Sequence, residues 1–149
     1  MSASGLEIID TSVQKTHIWL KEIMGRLGTT DRHQAYMALK VTLHALRDRL
    51  SVDEAAQLGA QLPMVVRGLF FEGWRPGGKP DRATTWETFM KPVYLATCQD
   101  GIFSPEDVVS AVFDVLSRHI SSGEIDDVIG QLPRDLRALW PDEARAVLR

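Results

Sequence analysis

The chain has 149 residues, 44% of them hydrophobic and 25% charged, with a formal net charge of −3. That length suits one domain, or two small halves packed as one, and folding buries roughly 68–70% of the unfolded chain's surface. A single cysteine, Cys98, excludes an internal disulfide and a thiolate zinc site and fits a reducing, cytoplasmic setting.

The opening "MSASGLEIID" has neither a basic region nor a long apolar run, so no cleaved leader is expected. No stretch approaches 18 apolar residues, so no membrane span is expected. Residues 1–80 hold 10 basic and 8 acidic side chains, and residues 81–149 hold 7 and 12. No basic stripe of the kind nucleic-acid binders carry is visible.

Residues 1–9 read as a flexible segment. Asp10 or Thr11 caps a first helix whose apolar positions, Val13, Trp19, Leu20, Ile23, Met24 and Leu27, recur near a 3.6-residue period; Gly25 and Gly28 end it. Thr30 and Asp31 start a second helix, with Ala35, Ala38, Leu39, Leu43 and Leu46 on one face, running to about Arg49.

"SVDEAAQLGAQLP" follows, from Ser51 to Pro63. Ser51 and Glu54 stand at capping-box spacing: the hydroxyl accepts from the third N–H and the carboxylate reaches back to the cap's own N–H. Leu62, before proline, leaves helical geometry. Pro63 fits the first position of a fourth helix carrying Val66, Leu69 and Phe70.

"GWRPGGKPDR" breaks the pattern, so 73–84 reads as a Gly/Pro-rich linker. Its Gly77-Gly78-Lys79 lacks the following Ser/Thr and the preceding strand of a phosphate-binding loop. Thr85 caps a fifth helix with Trp86, Phe89, Met90, Val93 and Tyr94, and Pro92 within it predicts a kink or a break. Ser104-Pro105-Glu106 starts a sixth, with Val108, Val109, Val112, Phe113, Val115 and Leu116 inside. Ser121 and Glu124 repeat the capping-box spacing, Pro133 opens another short helix, and 141–149 forms a tail helix.

The second half restates the first at a constant offset of 70. Ser51, Glu54, Pro63 and Arg67 meet Ser121, Glu124, Pro133 and Arg137; Gln61-Leu62 meets Gln131-Leu132; Phe70 meets Trp140. The expected fold is all-α: two tandem pseudo-repeats of about four helices each, 10–72 and 85–140, packed into one helical bundle domain. "ALKVTLHALRDRLSVDEAAQLGAQLPMVVRGLFFEGWRP" and "AVFDVLSRHISSGEIDDVIGQLPRDLRALWP" together resemble the bacterial family of domain of unknown function 2267. The family pattern often has Pro in place of Ser51 and Tyr-Tyr in place of Phe70-Phe71. The resemblance implies a bacterial, cytoplasmic, all-helical protein and brings no catalytic residue.

Candidate chemistry is sparse. The span from Leu50 to Leu69 has helix-turn-helix spacing, but its second helix is nearly all apolar, with Arg67 its one charge, which argues against base recognition. His17, His33, His44 and His119 form no metal-ligand pattern, and Glu124, Asp126 and Asp127 on one short helix read as first-turn capping and solvation. Cys98 reads as a packed, inert thiol. Arg67 and Arg137 read as bridges to a carboxylate such as Asp53, Glu54 or Glu124, the alternative being a paired anion-binding position across the pseudo-two-fold. Phe71, Trp74 and Arg75 are the candidate partner-binding residues: Phe71 and Trp74 are aromatics with no aromatic counterpart in the second copy, and all three stand at or within the linker. The expectation is a non-enzymatic interaction or assembly protein that binds a protein partner or itself, without a cofactor or metal. The alternative is a small-ligand pocket between the two repeats; a nucleic-acid-associated regulator comes third.

Overall fold

The computed structural model describes residues 3–81 and 84–145, and within them the chain is all-α, with nine helices and no strand. In chain order they are α1 (Glu7–Leu27), α2 (Arg32–Arg47), α3 (Val52–Gln61), α4 (Met64–Phe71), α5 (Trp86–Thr97), α6 (Pro105–His119), α7 (Ser122–Gly130), α8 (Arg134–Arg137) and α9 (Asp142–Arg145). No helix among the described residues is long and apolar enough to cross a membrane.

Local caps set most boundaries. The side chains of Asp31, Ser51, Thr85, Ser104 and Ser121 each accept a first-turn N–H of the following helix, and Pro105 sits in the first turn of α6. Gly28 ends α1 at φ 70°, a conformation that costs a residue with a Cβ.

Four expectations need correction. α1 starts at Glu7, so 7–9 are helical; Asp10 does not cap it, because its Oδ1 accepts from the N–H and Oγ of Ser4 at 3.1 and 2.7 Å. Gly25 lies inside α1 and does not end it. Pro63 is the cap of α4, one place before the expected position, with ψ 148°. Pro92 does not break α5. A proline leaves the carbonyl four residues earlier without its helical donor; that carbonyl, of Thr88, accepts from Nη2 of Arg49 at 3.1 Å.

The linker is anchored. Asp81 N–H donates to the Asp48 carbonyl at 2.9 Å, and Lys79 Nζ pairs with Asp81 at 2.9 Å and Asp48 at 3.7 Å. Arg82 and Ala83 of the linker, and residues 146–149 of the expected tail helix, lie outside the described residues.

α2 is central and packs on α1, α4, α5 and α6, while α6 also meets α1, α5 and α7. One apolar cluster results, with Ile23, Leu43, Leu46, Phe70, Phe89, Val112, Phe113 and Leu116 all fully buried. Trp140 stacks on Phe113 at 4.0 Å between centroids. α3 and α7 stand against each other and bring Glu54 and Glu124 into one seam.

Candidate functional site

The seam is held by a reciprocal set of hydrogen bonds. Ser51 N–H donates to Gln131 Oε1 at 2.8 Å, and Gln131 Nε2 donates to Ser51 Oγ at 3.3 Å. Ser121 N–H donates to Gln61 Oε1 at 2.9 Å, and Gln61 Nε2 donates to Ser121 Oγ at 3.0 Å. Each glutamine ends one short helix and seals the start of the other.

This exchange opens the expected capping boxes. The hydroxyl half is present: Glu54 N–H donates to Ser51 Oγ at 3.1 Å and Glu124 N–H to Ser121 Oγ at 3.3 Å. The N–H each glutamate would have reached is occupied by a glutamine from the opposite helix. Both glutamates therefore turn inward. They are 7% and 6% exposed, and Oε1 of each is buried without a hydrogen-bond partner among the described residues.

Glu124 is strongly perturbed. Burial pushes its carboxyl up to about 8; a hydrogen bond with Glu54 and the charges of Glu54 and Asp127 act in the same sense. Asp127, one turn further on and exposed, adds a third carboxylate, and one oxygen from each of the three lies within 4.8 Å of the other two. The reading of Glu124 and Asp127 as capping and solvation alone is thus corrected. Glu124 caps nothing with its carboxylate, and Glu54 is the neighbour the sequence did not reveal. Asp126 is not part of this group.

Arg67 and Arg137 do not bridge to carboxylates. Arg67 Nε donates to the Gly59 carbonyl at 2.9 Å and its Nη2 to Ala60 and Leu62 at 3.2 and 3.1 Å; Arg137 donates to Leu132 at 2.7 Å and Gly130 at 3.1 Å. Each guanidinium satisfies the last carbonyls of the preceding helix, where a cation also suits the dipole. Arg47, which sequence reasoning passed over, does the same for α4: it is 5% exposed, and its Nη1 donates to the Phe70 and Glu72 carbonyls, both at 2.9 Å.

Phe71, Trp74 and Arg75 are not a flat exposed patch. Phe71 and Trp74 are half-buried against the core, their rings tilted against one another with centroids 5.2 Å apart, while Arg75 is exposed. Phe71 also contacts Gly59, where a Cβ would lie 2.4 Å from its ring.

The model of an uncharacterised conserved protein family, domain of unknown function 2267, matches residues 16–139. The chain belongs to that family. The matched segment includes α2 to α8, so the seam lies wholly within the family's domain. No curated protein matches the chain.

His44, His119 and Cys98 are engaged within the fold. His44 Nε2 lies 2.7 Å from the Leu69 carbonyl, and burial pulls its pKa below the usual histidine value. His119 pairs with Glu22 at 2.8 Å and stacks on Trp19. Cys98 is buried, and that burial pushes its thiol up, away from the reactive thiolate.

Proposed function

We propose that this chain is a duplicated, non-enzymatic interaction protein of the bacterial cytoplasm, and that the face shared by α1 and α4 docks a protein partner or a second copy. The offset-70 repeat and the reciprocal hydrogen bonds between α3 and α7 support the duplication. The docking face rests on one observation. Of the twelve exposed large hydrophobics among the described residues, seven lie at the start of α1, along it, or on α4, Ile8, Val13, Ile18, Met64 and Val65 among them. Val65 N–H donates to Ser12 Oγ at 3.0 Å, which fixes the two helices together, and Ile8, Ile18 and Met64 line an open groove of about 1020 Å³. Exposed apolar side chains gathered around one groove, here Ile8, Ile18 and Met64, mark an association surface.

This moves the surface away from Phe71 and Trp74, whose rings are spent on the core. The test is the mass in solution, with capture from the native host, for the wild type and for an Ile8→Glu, Met64→Glu variant. The expected result is association that the variant loses at an unchanged thermal midpoint. A wild type that stays monomeric and retrieves no stoichiometric partner would refute the proposal. Trp74→Ala serves as a contrast: it should lower stability and leave association intact.

The small-ligand alternative draws on a separate observation. A cleft of about 360 Å³ is lined by Leu27, Met37, Leu95, Phe103 and Val108, with His33 and Asp100 also in its wall. A thermal-shift screen of metabolites with no hit would count against it. The nucleic-acid reading is weakest, because Val66 and Phe70 of α4 are buried and Arg67 is committed to carbonyls.

A further inference from the structure

Glu54 and Glu124 are two acids pressed together in the α3–α7 seam, and no Lys, Arg or His forms an ion pair with either of them or with Asp127 among the described residues. A buried carboxylate without a partner is costly, and two facing each other cost more. A shared proton relieves part of this. It joins one oxygen of each glutamate, leaves the orphaned Oε1 atoms as they are, and makes no use of Asp127.

A cation would draw on all three carboxylates. Oxygens mutually within 4.8 Å can surround a common centre at the 2.3–2.6 Å typical of Ca²⁺ after a contraction of a few tenths of an ångström. The donors are all carboxylate oxygens, with no thiolate or imidazole, which selects hard cations over zinc or copper. The two glutamates arrive from separate helices and so converge from two directions. Asp127 is exposed, which leaves the outer side of the site to water ligands.

We propose that Glu54, Glu124 and Asp127 bind a hard divalent cation of the Ca²⁺ or Mn²⁺ class and that it clamps α3 to α7. Both glutamates stand in the first turn of their helices, so the helix dipoles favour the ionised carboxylates and moderate the affinity. Charge neutralisation at the seam would tighten the junction between the two halves without touching the α1–α4 face.

The test uses the full chain, stripped with a chelator and titrated with CaCl₂, MnCl₂ and MgCl₂ to about 5 mM, beyond the weak end of protein calcium sites. NaCl of matched ionic strength is the control. Thermal shift and calorimetry are read at pH 7 and again at pH 9. The expected result is saturable stabilisation by one ion per chain, lost in Glu54→Gln and Glu124→Gln and weakened at least tenfold in Asp127→Asn. Glutamine keeps the shape and removes the buried charge, so both variants should fold; if either does not, the exposed Asp127→Asn and the wild-type stoichiometry decide. No saturable response of the wild type at either pH overturns the proposal. So does an equal response in Glu124→Gln or Asp127→Asn.

Discussion

The backbone N–H of Ser51 is satisfied by the side chain of Gln131, at 2.8 Å and 80 positions away, not by Glu54 three positions away. That single exchange frees Glu54 to enter the seam, and the Ser121–Gln61 pair does the same for Glu124. Gln131→Ala should cost about 0.5–1.5 kcal/mol, the low range for hydrogen bonds that remain near solvent. Gln61→Ala should cost about as much. Because both act on one helix pair, the double variant should deviate from additivity. Urea unfolding of the two single variants and the double checks this; strictly additive losses would mean that the two clasps act independently.

Arg47 is a buried cation whose fork ends α4. Arg47→Met keeps the aliphatic bulk but leaves the Phe70 and Glu72 carbonyls short of a donor. The expected loss is about 2–4 kcal/mol, the range for removing a charged donor from a buried site. Arg47→Lys should recover only part of it, since one ammonium cannot serve both carbonyls from Nη1's place and also keep the 3.0 Å pair that Nε makes with Asp48. Chemical denaturation of both variants provides the comparison.

Helix positions were legible because caps are local. Ser51, Thr85, Ser104 and Ser121 announce their helices within three residues, and the alternation of buried positions such as Leu39, Leu43 and Leu46 follows the helical period. Pro92 misled because its remedy, Arg49, comes from the turn after α2, 39 positions from Thr88. The carboxylate pair was hidden for the same reason: capping-box spacing offers Glu54 and Glu124 a sufficient local task, and nothing within a few residues shows that Gln131 and Gln61 have taken it. The usable signal was the repeat itself. Ser, Glu and Gln all recur at offset 70, and a cap alone requires no glutamine further along the helix.

Two glycine substitutions separate propensity from packing. Gly25 lies within α1, and a Cβ added there would meet nothing within 4 Å, so Gly25→Ala should stabilise the chain by about 0.5–1 kcal/mol. Gly59 sits within α3, where the same propensity gain applies, but a Cβ there would meet Phe71 at 2.4 and 2.5 Å. The Phe71 ring is hemmed in by Phe70 at 4.9 Å and Trp74 at 5.2 Å, so it cannot swing away freely. Overpacking wins, and Gly59→Ala should destabilise by about 1–3 kcal/mol. Adding Phe71→Leu should restore part of the loss. Thermal midpoints of the three variants decide the sign.

Glu124 makes stability depend on pH in the direction opposite to an ordinary salt-bridged carboxylate. Its pKa is raised from 4.5 to about 8, first by burial and then by Glu54 and Asp127. The folded chain therefore holds a proton that the unfolded chain has released, and stability falls as pH rises from about 4.5 to about 8 before levelling off. His44, lowered by burial, acts in the other sense, raising stability as pH climbs through the region of 6.5. The clean window is therefore pH 7 to 8, where the slope from Glu124 should reach at most about 1.4 kcal/mol per pH unit, the value for one proton. Urea midpoints of metal-free protein from pH 5 to 9 measure it. Glu124→Gln should flatten the fall between pH 7 and 8 and leave the His44 contribution in place, whereas a wild type whose stability rises through that window would show that the Glu124 carboxyl ionises without cost.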